Sequence, residues 1–421
     1  MELHFLGGAR EVGRSTVMAT SGQLRLLFDC GVKTGKQPQF PLLDDAKRPH
    51  AVALSHAHLD HSGYIPTLFR HQALPVVCTF PTIPLTDILL EDTIKIAAQD
   101  RKPAYFSRAD LKKMQRHAVA VPYGKEYEFF NGDSVTLIDA GHILGSAQIL
   151  FKTRDASVLY TGDFNKVKTA TQPPAAVPQE RVDVLVTEST YGSEDHPDRK
   201  TLVKRFCKEV KDALAQGKAA LLPCFAVGRT QELLQILYEN GLADRLYLDG
   251  MGRATSEVAR SFPSYMRDWE SFENALGKAK AVEDSTGRKS AAKAGNIIVT
   301  TAGMMEGGPV LNYLERFIKT GTQAKVFLTG YQVPGTNGRR LLEEGKVYSN
   351  GRTLEFPGEV SFYDFSAHCG KKELIQHAKD VNPSKILCMH GDEGKIDAFV
   401  ASLKQEGFDA SAPALGEKVT V

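Results

Sequence analysis

Short apolar runs alternate with polar, glycine-containing turns over roughly the first 190 residues of the chain. Because each run is short and rich in β-branched or aromatic side chains, the pattern predicts buried strands. These strands are predicted at residues 24–28, 51–54, 135–138, 158–160 and 184–186. A histidine, aspartate or glutamate comes soon after every run. Since strand carboxyl ends in layered α/β folds meet at one edge, where ligands bind, we expect these polar residues to converge.

The middle of the chain has the periodicity of helices. Apolar residues recur on one face of residues 201–216, and Gly217 is placed to end that helix. A second helix is predicted at 229–240, ahead of Gly241. Further strands are predicted at residues 219–222, 245–248, 296–299 and 325–328. Strands that alternate with helices favour βαβ units around a parallel sheet.

The first pattern returns after about residue 358, where residues 384–389 predict a buried strand that again ends at a histidine, His390. The chain is therefore predicted to contain one domain interrupted by another. Residues 1–192 and 359–421 form the first domain, and residues 193–358 form the insert. A chain of 421 residues fits this division, because single cores rarely grow beyond about 300 residues.

The amino-acid composition excludes few classes of function. The formal net charge is +2, so any nucleic-acid contact must come from local clustering of cations. Residues 276–294 contain Arg288, Lys289 and Lys293, and this pattern leaves a solvated surface and an RNA contact both open. The cysteines form no C-x-x-C pair, and no apolar stretch reaches the roughly 18 residues of a membrane span. We expect a cytoplasmic protein in a reducing compartment, without a membrane partner.

The densest chemical signal lies between residues 56 and 61. His56 and His58 can face one ion from an extended backbone, whereas Asp60 and His61 can face a second ion. Imidazole nitrogen and carboxylate oxygen are the ligands that zinc prefers in catalytic sites. A structural explanation would need several costly coincidences after a buried strand, so the pattern indicates a metal site.

This stretch, with Ser55 before it, resembles the signature of the metallo-β-lactamase superfamily. Its other motifs have counterparts in Asp29, which follows Phe28, in His142, which follows Gly141, and in Asp163, which follows Gly162. The resemblance implies two zinc ions per chain. It implies that one ion is bound by His56, His58, His142 and Asp163, and the other by Asp60, His61, Asp163 and His390. It gives Asp29 a supporting role beside the metals, and a purely structural turn remains an alternative for that residue.

Later motifs select a branch of the superfamily. Residues 187–192, 365–368 and 388–392 resemble motifs A, B and C of the β-CASP nucleases, and residues 225–232, 303–309 and 330–339 resemble segments of the β-CASP insert. The whole chain resembles archaeal and bacterial homologues of the nuclease subunit of the cleavage and polyadenylation specificity factor. The fold so implied is α/β, a metallo-β-lactamase αββα sandwich interrupted by a β-CASP domain with a parallel, Rossmann-like sheet.

The resemblance also implies a reaction. It predicts a zinc-dependent ribonuclease that hydrolyses single-stranded RNA endonucleolytically, leaves 5′-phosphate and 3′-hydroxyl ends, and has 5′–3′ exonuclease action as an open second mode. The catalytic residues are Asp60, His368 as general acid, and Glu188, which holds the other ring nitrogen of His368. Weaker patterns suggest phosphate contacts, for which turn chemistry or surface ion pairs are alternatives, at Gly307, Gly308, Arg229 and Arg339.

Other functions and partners stay open at this point. A homodimer or an RNA-processing complex is compatible with the resemblance. A small-molecule hydrolase, such as a lactamase or a thioesterase, would use the same metal motifs without needing the insert or His368. A non-enzymatic scaffold would have lost ligands, whereas every expected ligand is present in this sequence.

Overall fold

A computed structural model describes residues 1–35, 37–44 and 48–421. The strands in chain order are β1 (Glu2–Gly7), β2 (Thr16–Ser21), β3 (Leu24–Phe28), β4 (Ala51–Ala53), β5 (Val76–Cys78), β6 (Ala118–Ala120), β7 (Glu126–Glu128), β8 (Ser134–Asp139), β9 (Ala147–Lys152), β10 (Ser157–Tyr160), β11 (Val184–Glu188), β12 (Ala219–Pro223), β13 (Leu246–Asp249), β14 (Lys280–Ala281), β15 (Ile297–Thr300), β16 (Ala324–Leu328), β17 (Lys346–Ser349), β18 (Arg352–Glu355), β19 (Glu359–Phe362), β20 (Lys385–Met389), β21 (Ala410–Ser411) and β22 (Lys418–Thr420).

The helices in chain order are α1 (Leu59–Ser62), α2 (Ile65–Leu68), α3 (Thr82–Gln99), α4 (Arg108–Arg116), α5 (Arg199–Ala215), α6 (Arg229–Glu239), α7 (Gly252–Arg260), α8 (Trp269–Lys278), α9 (Ser285–Ala291), α10 (Pro309–Thr320), α11 (Asn337–Glu344), α12 (Lys371–Val381) and α13 (Glu393–Gln405). Within the described part of the chain, none of them combines the length and apolar character that crossing a membrane requires.

The chain divides into two compact units. The first comprises Met1–Lys168, Pro173–Asp195 and Ala367–Val421, and the second comprises Thr169–Gln172 and His196–Ser366. Residues 359–366 therefore belong with the second unit, whereas the sequence pattern assigned them to the first domain. The reason is that β19 pairs in parallel with β16 and extends the sheet of the second unit.

The first unit is a sandwich of two seven-stranded sheets. One sheet has the order β22-β1-β2-β3-β4-β5-β6, and the other has the order β21-β20-β11-β10-β9-β8-β7. Apolar side chains from both sheets form one core between them, in which the ring of Phe28 contacts those of Phe151 and Tyr160. Separate apolar clusters cover the outer faces beneath α1–α4 and beneath α12 and α13. This four-layered arrangement is the αββα sandwich predicted from the sequence.

The second unit has a six-stranded sheet of order β14-β13-β15-β12-β16-β19, in which all neighbours are parallel. The strands β17 and β18 form a small antiparallel hairpin. Strands buried on both faces read as continuous apolar runs, as they do in β12 and β15. The predicted parallel sheet is confirmed.

Most predicted elements are also confirmed within one or two residues. The predicted helices are α5 and α6. Gly217 follows α5 with a φ of +73°, a left-handed conformation that glycine adopts without a steric penalty. The cysteines are all buried and unpaired, in agreement with a scattered apolar role.

One buried histidine in the first unit links stability to pH. His377, on α12, is fully buried, its Nε2 lies 2.9 Å from Gln148 Oε1, and its ring packs on Phe164. The Gln148 amide nitrogen donates to backbone carbonyls, so Gln148 Oε1 accepts from the Nε2–H of His377, and the buried Nδ1 has no hydrogen-bond partner among the described residues that would favour a second proton. Burial lowers the pKa of His377 from 6.5 to about 3.

We expect His377→Gln to weaken the acid sensitivity of unfolding. The unfolded chain binds a proton at this histidine below its ordinary pKa, whereas the folded chain does not until the pH approaches 3, so stability falls as the pH falls through this window. From about pH 7 to about pH 5 the wild type should lose on the order of 2 kcal/mol more than the variant. Denaturant titrations at both pH values measure this difference, with His71→Gln, at an exposed position, as control. Equal losses in wild type and variant would contradict the assignment.

Candidate metal centre

The polar residues that follow the predicted strands meet at one edge of the first unit. Ligand atoms of His56, His58, His142 and Asp163 lie within 4.8 Å of one another, and so do those of a second group that shares Asp163. The second group consists of Asp60, His61, Asp163 and His390. The predicted convergence is confirmed, and both groups have the composition predicted for the two ions. That these residues bind metal stays a prediction.

Three imidazole nitrogens face a common point in the first group. His58 Nδ1 lies 3.1 Å from His56 Nε2 and 3.2 Å from His142 Nε2, and Asp163 Oδ2 lies 3.6 Å from His56 Nε2. In a tetrahedral zinc site with bonds of about 2.0–2.1 Å, ligand atoms lie about 3.3 Å from one another. The spacing of these atoms therefore fits one ion at their centre.

Hydrogen bonds on the far side of two rings direct them towards that centre. His142 Nδ1 lies 2.8 Å from the carbonyl oxygen of Ala367, which can only accept, so His142 Nε2 carries the lone pair. Ser55 Oγ donates to Asp29 and lies 3.0 Å from His56 Nδ1, so the serine oxygen accepts from that ring nitrogen. Each ring is therefore held in the tautomer that a metal ligand needs.

The second group surrounds Asp163 from the other side. His61 Nε2 lies 3.3 Å from Asp163 Oδ2, and His390 Nδ1 lies 3.0 Å from Asp163 Oδ1. Asp60 Oδ2 lies 3.4 Å from His390 Nε2 and 3.8 Å from His61 Nε2. Asp163 thus turns one carboxylate towards both groups, which is the geometry of a bridging ligand.

Unsatisfied polar atoms show that this cluster suits a cation. Among the described residues, His61 Nε2, Asp163 Oδ1 and both ring nitrogens of His390 are buried without a hydrogen bond of good geometry. Burial opposes protonation of His390, but Asp163 and Asp60 raise its pKa to about 10. Burial likewise opposes ionisation of Asp163, yet His61 and His390 hold its pKa well below the usual range. The carboxylates therefore draw in positive charge, which a metal ion can supply in place of protons.

Asp29 organises the centre without joining either group. It follows β3 with a φ of +59° and is fully buried. Its carboxylate accepts hydrogen bonds from Ser55 N and Oγ at 2.7 Å and from Tyr160 Oη at 2.8 Å, and it lies 2.7 Å from His61 Nδ1. The last contact leaves His61 Nε2 facing the second group. These contacts match the supporting role predicted for Asp29.

Backbone geometry delivers Asp163 to the centre. Gly162, just before it, has a φ of +52°, and a Cβ at this position would lie 2.7 Å from Ser55 Cβ. Only glycine combines this left-handed conformation with so close an approach. The turn after β10 can therefore pass against the segment that carries His56.

The candidate general acid lies beside the metal groups. His368 Nδ1 lies 3.0 Å from both carboxylate oxygens of Glu188. One ligand-type atom from each of Asp163, Glu188 and His368 lies within 4.8 Å of the other two. The backbone N–H of Phe164 and the hydroxyl of Thr190 donate to Glu188 and fix it. Burial alone would lower the pKa of His368, but the carboxylates of Glu188 and Asp163 raise it.

The suggested phosphate contacts lie in the second unit and differ among themselves. Arg229 is buried and its guanidinium is engaged inside the fold. It forms an ion pair with Glu232 and lies over the ring of Phe365. Arg339 is partly exposed and pairs with Glu343. Gly307 faces open space, and Gly308 begins α10 with a φ of +76°. Phosphate binding by these residues stays a prediction.

Several residues that position the site carried no sequence signal of their own. Ser55 orients His56, Tyr160 binds Asp29, and Thr190 binds Glu188. Only the adjacency of Ser55 to the histidine motif could have drawn attention to it. The carbonyl of Ala367, which orients His142, is beyond any sequence pattern because every residue has a carbonyl.

Comparison with known families agrees with this architecture. A Beta-lactamase superfamily domain matches residues 24–220, a Beta-Casp domain matches residues 230–341, and a Zn-dependent metallo-hydrolase RNA specificity domain matches residues 354–413. These matches follow one another in the order of the predicted motifs.

Similar proteins support the same assignment. The chain is 39% identical to "Probable RNase MJ4" of Methanocaldococcus jannaschii, with both chains covered completely, and 32% identical to "RNase aCSPSF2" of Saccharolobus solfataricus, covering 100% of this chain and 85% of the relative. It is 32% identical to "Transcription termination factor FttA" of M. jannaschii over 96% of this chain and 69% of that protein.

The fold also recurs among solved structures. A protein of unknown function from Enterococcus faecalis V583 superposes with a TM-score of 0.66 at 15% identity, covering 100% of this chain and 99% of that one. At this identity the likeness concerns the fold alone. With the family matches, the full-length relatives and the clustered histidines and carboxylates, the chain belongs to the β-CASP family of metal-dependent hydrolases with the metallo-β-lactamase fold.

Proposed function

We propose that this protein is a two-zinc ribonuclease that hydrolyses phosphodiester bonds in single-stranded RNA and leaves 5′-phosphate and 3′-hydroxyl ends. Cleavage is endonucleolytic, and 5′–3′ exonuclease action is a second mode to be tested. Relatives named as ribonucleases and the match to an RNA specificity domain support the substrate class. A cytoplasmic location fits this role, and a homodimer or an RNA-processing complex remains a prediction.

One observation carries the proposal, namely the pair formed by His368 and Glu188 next to the shared carboxylate of Asp163. Glu188 binds Nδ1 of His368, so the proton available for transfer is the one on Nε2. Hydrolysis of RNA with a 3′-hydroxyl product requires a proton on the leaving 3′ oxygen, and a positioned imidazole is suited to supply it.

The chain's own residues have separable tasks in the reaction. His56, His58, His142 and Asp163 would hold one ion, and Asp60, His61, Asp163 and His390 would hold the other. When bound, zinc lowers the pKa of water towards neutrality and neutralises charge on phosphate oxygens. Asp29 and Ser55 orient the histidines, and Glu188 holds His368 ready to protonate the leaving oxygen.

The alternatives are a small-molecule hydrolase and an inactive scaffold. A scaffold that had lost its metals would be expected to lack ligands, but both groups have all four. A lactamase or thioesterase would share the groups, and assays with a chromogenic lactam and a thioester beside a labelled RNA separate that function from the proposed one.

We expect His368→Gln to lower kcat on single-stranded RNA by about 100-fold to 10,000-fold, because proton transfer to the leaving group is lost. Zinc content, measured by elemental analysis, should stay at the wild-type level, because His368 belongs to neither group of predicted ligands. His117→Gln, at the end of α4 where the histidine Nδ1 lies 2.8 Å from the Lys113 carbonyl oxygen, is the control. Cleavage by the His368 variant at the wild-type rate would refute the acid assignment.

Metal content tests the two-ion arrangement. The purified protein should hold two zinc ions per chain, and Asp163→Ala should retain less than one, because both groups share that carboxylate. Chelation should abolish cleavage and added zinc should restore it. A single ion in the wild type, or full occupancy in the Asp163 variant, would speak against a bridging role.

Substrate form distinguishes the two cleavage modes. We compare one RNA sequence as a 5′-monophosphate, as a 5′-triphosphate and as a covalent circle. Cutting of the circle requires endonuclease action, which we expect. A rate that depends on the 5′-monophosphate would add the exonuclease mode, and an intact circle with rapid loss of the linear forms would leave exonuclease action alone.

A further inference from the structure

A cavity opens at the edge of the second unit where its sheet strands begin. Backbone hydrogen bonds join the segments before β12, β15 and β16 at this edge, from Gly295 N to Lys218 O and from Ala219 N to Gln323 O. The cavity has a volume of about 490 Å³. It lies at the end of the sheet opposite to the β-CASP segments at residues 225–232, 303–309 and 330–339, which follow the strands.

Positive charge dominates the walls of this cavity. Lys289, Lys293 and Arg316 line it, and no aspartate or glutamate of the described residues does. Within the described ranges, none of the three forms an ion pair, and the Arg316 guanidinium makes no hydrogen bond although it is only partly exposed. An unpaired, partly buried guanidinium beside two ammonium groups is an arrangement that favours an anion.

The acids next to the cluster in sequence make their contacts with groups other than its three cations. Glu315 accepts hydrogen bonds from Ser349 and Asn350, and Asp284 caps α9 through Gly287 N. Glu283 pairs with Arg253. None of these three acids is ion-paired with Lys289, Lys293 or Arg316.

Arg288 provides an internal comparison. It lies next to Lys289 in sequence, but its guanidinium binds Asp249 at 2.8 Å and 3.2 Å, and Asp249 also accepts from Tyr313. Arg288 thus has a structural role. Of the cations in residues 276–294, only Lys289 and Lys293 line the cavity, and Arg316 joins them from α10.

Stability alone explains this arrangement poorly. Lys289 lies in the last turn of α9 and Lys293 follows the end of that helix, so with Arg316 three like charges that repel one another line one cavity. A cation near the end of α9 does interact favourably with the helix dipole, which opposes that repulsion. One cation would be sufficient for that purpose, whereas three converge on one cavity.

From these contacts we infer that the cavity binds phosphate groups of an RNA strand, at a site separate from the metal centre. Arg316 engages a phosphate from the inner wall, and Lys289 and Lys293 contact phosphates at the exposed rim. The inference rests on the proposed function, because the RNA bound here is the RNA that the metal centre cleaves. The second contact is made at the edge where the strands of the second unit begin. It predicts that long RNA binds more tightly than a short RNA that fills the metal centre alone.

Charge reversal tests the site. The triple variant Lys289→Glu, Lys293→Glu, Arg316→Glu is compared with Lys204→Glu, Lys211→Glu, Arg352→Glu, which makes the same change in net charge at exposed positions of the same unit. Fluorescence anisotropy with a single-stranded RNA of about 40 nucleotides, in chelator and over a salt series, measures binding. In the cavity variant only, we expect the Kd to rise at least about tenfold. The slope of log Kd against log salt concentration should also fall by about 2 in that variant. If charge reversal lowers the midpoint temperature of unfolding, the test is repeated with glutamine in place of glutamate at the same three positions.

Further arms identify the ligand. With zinc, cleavage of an RNA of about six nucleotides should be equal in wild type and cavity variant, because so short a strand does not need the second site. Binding of inorganic phosphate and of long RNA is compared in wild type and cavity variant. If the variant loses phosphate binding but binds long RNA as the wild type does, the cavity binds a free phosphate compound and the RNA site is overturned. Unchanged binding of both ligands would overturn the site altogether. Failure of the wild type to cleave any RNA would instead contradict the proposed function, whereas the binding measurements would still decide whether the cavity binds phosphate.

Discussion

The candidate metal centre depends on one buried carboxylate that belongs to neither group of predicted ligands. Asp29 accepts hydrogen bonds from Ser55 and Tyr160 and contacts His61, and through Ser55 it also orients His56. A carboxylate buried without partners would cost several kcal/mol, so these contacts have to form together. They join the end of β3 to the segment after β4 and to β10 of the opposite sheet. The packing of the two sheets therefore also orients the predicted ligands.

The cluster that Asp29 supports carries an electrostatic imbalance. Asp60 and Asp163 are surrounded by imidazoles whose protonation they favour, and the pKa of His390 rises to about 10 as a result. A polar network of this kind is stable only when every charge is matched. Metal ions would match the carboxylates better than protons, because they could also use the lone pairs that remain unsatisfied on His61 and His390. The same local charge acts on His368, where Glu188 sets the direction of the ring.

The second unit separates structural cations from available ones. Arg229 and Arg288 carry the same charge as Arg316, yet the first two are held by Glu232 and Asp249 inside the fold. A guanidinium engaged in this way stabilises a turn or a helix and has little left to offer a ligand. Arg316 keeps its donors and faces a cavity. Which cations of this unit are available to a ligand therefore depends on which have an acid within reach, and composition gives no measure of that.

The sequence by itself determined the strands, the helices α5 and α6, and the ligand-type residues at the strand ends, because apolar periodicity and close spacing are local properties of the chain. The strand β19, which the sequence pattern placed after the insert, pairs with β16 of the second unit. Only the tertiary structure decided which atoms meet. The bonds of Asp29 to Tyr160, of His142 to Ala367 and of Glu188 to His368 span from 131 to 225 positions. Contacts over such separations depend on how the sheets pack, and no local pattern encodes them.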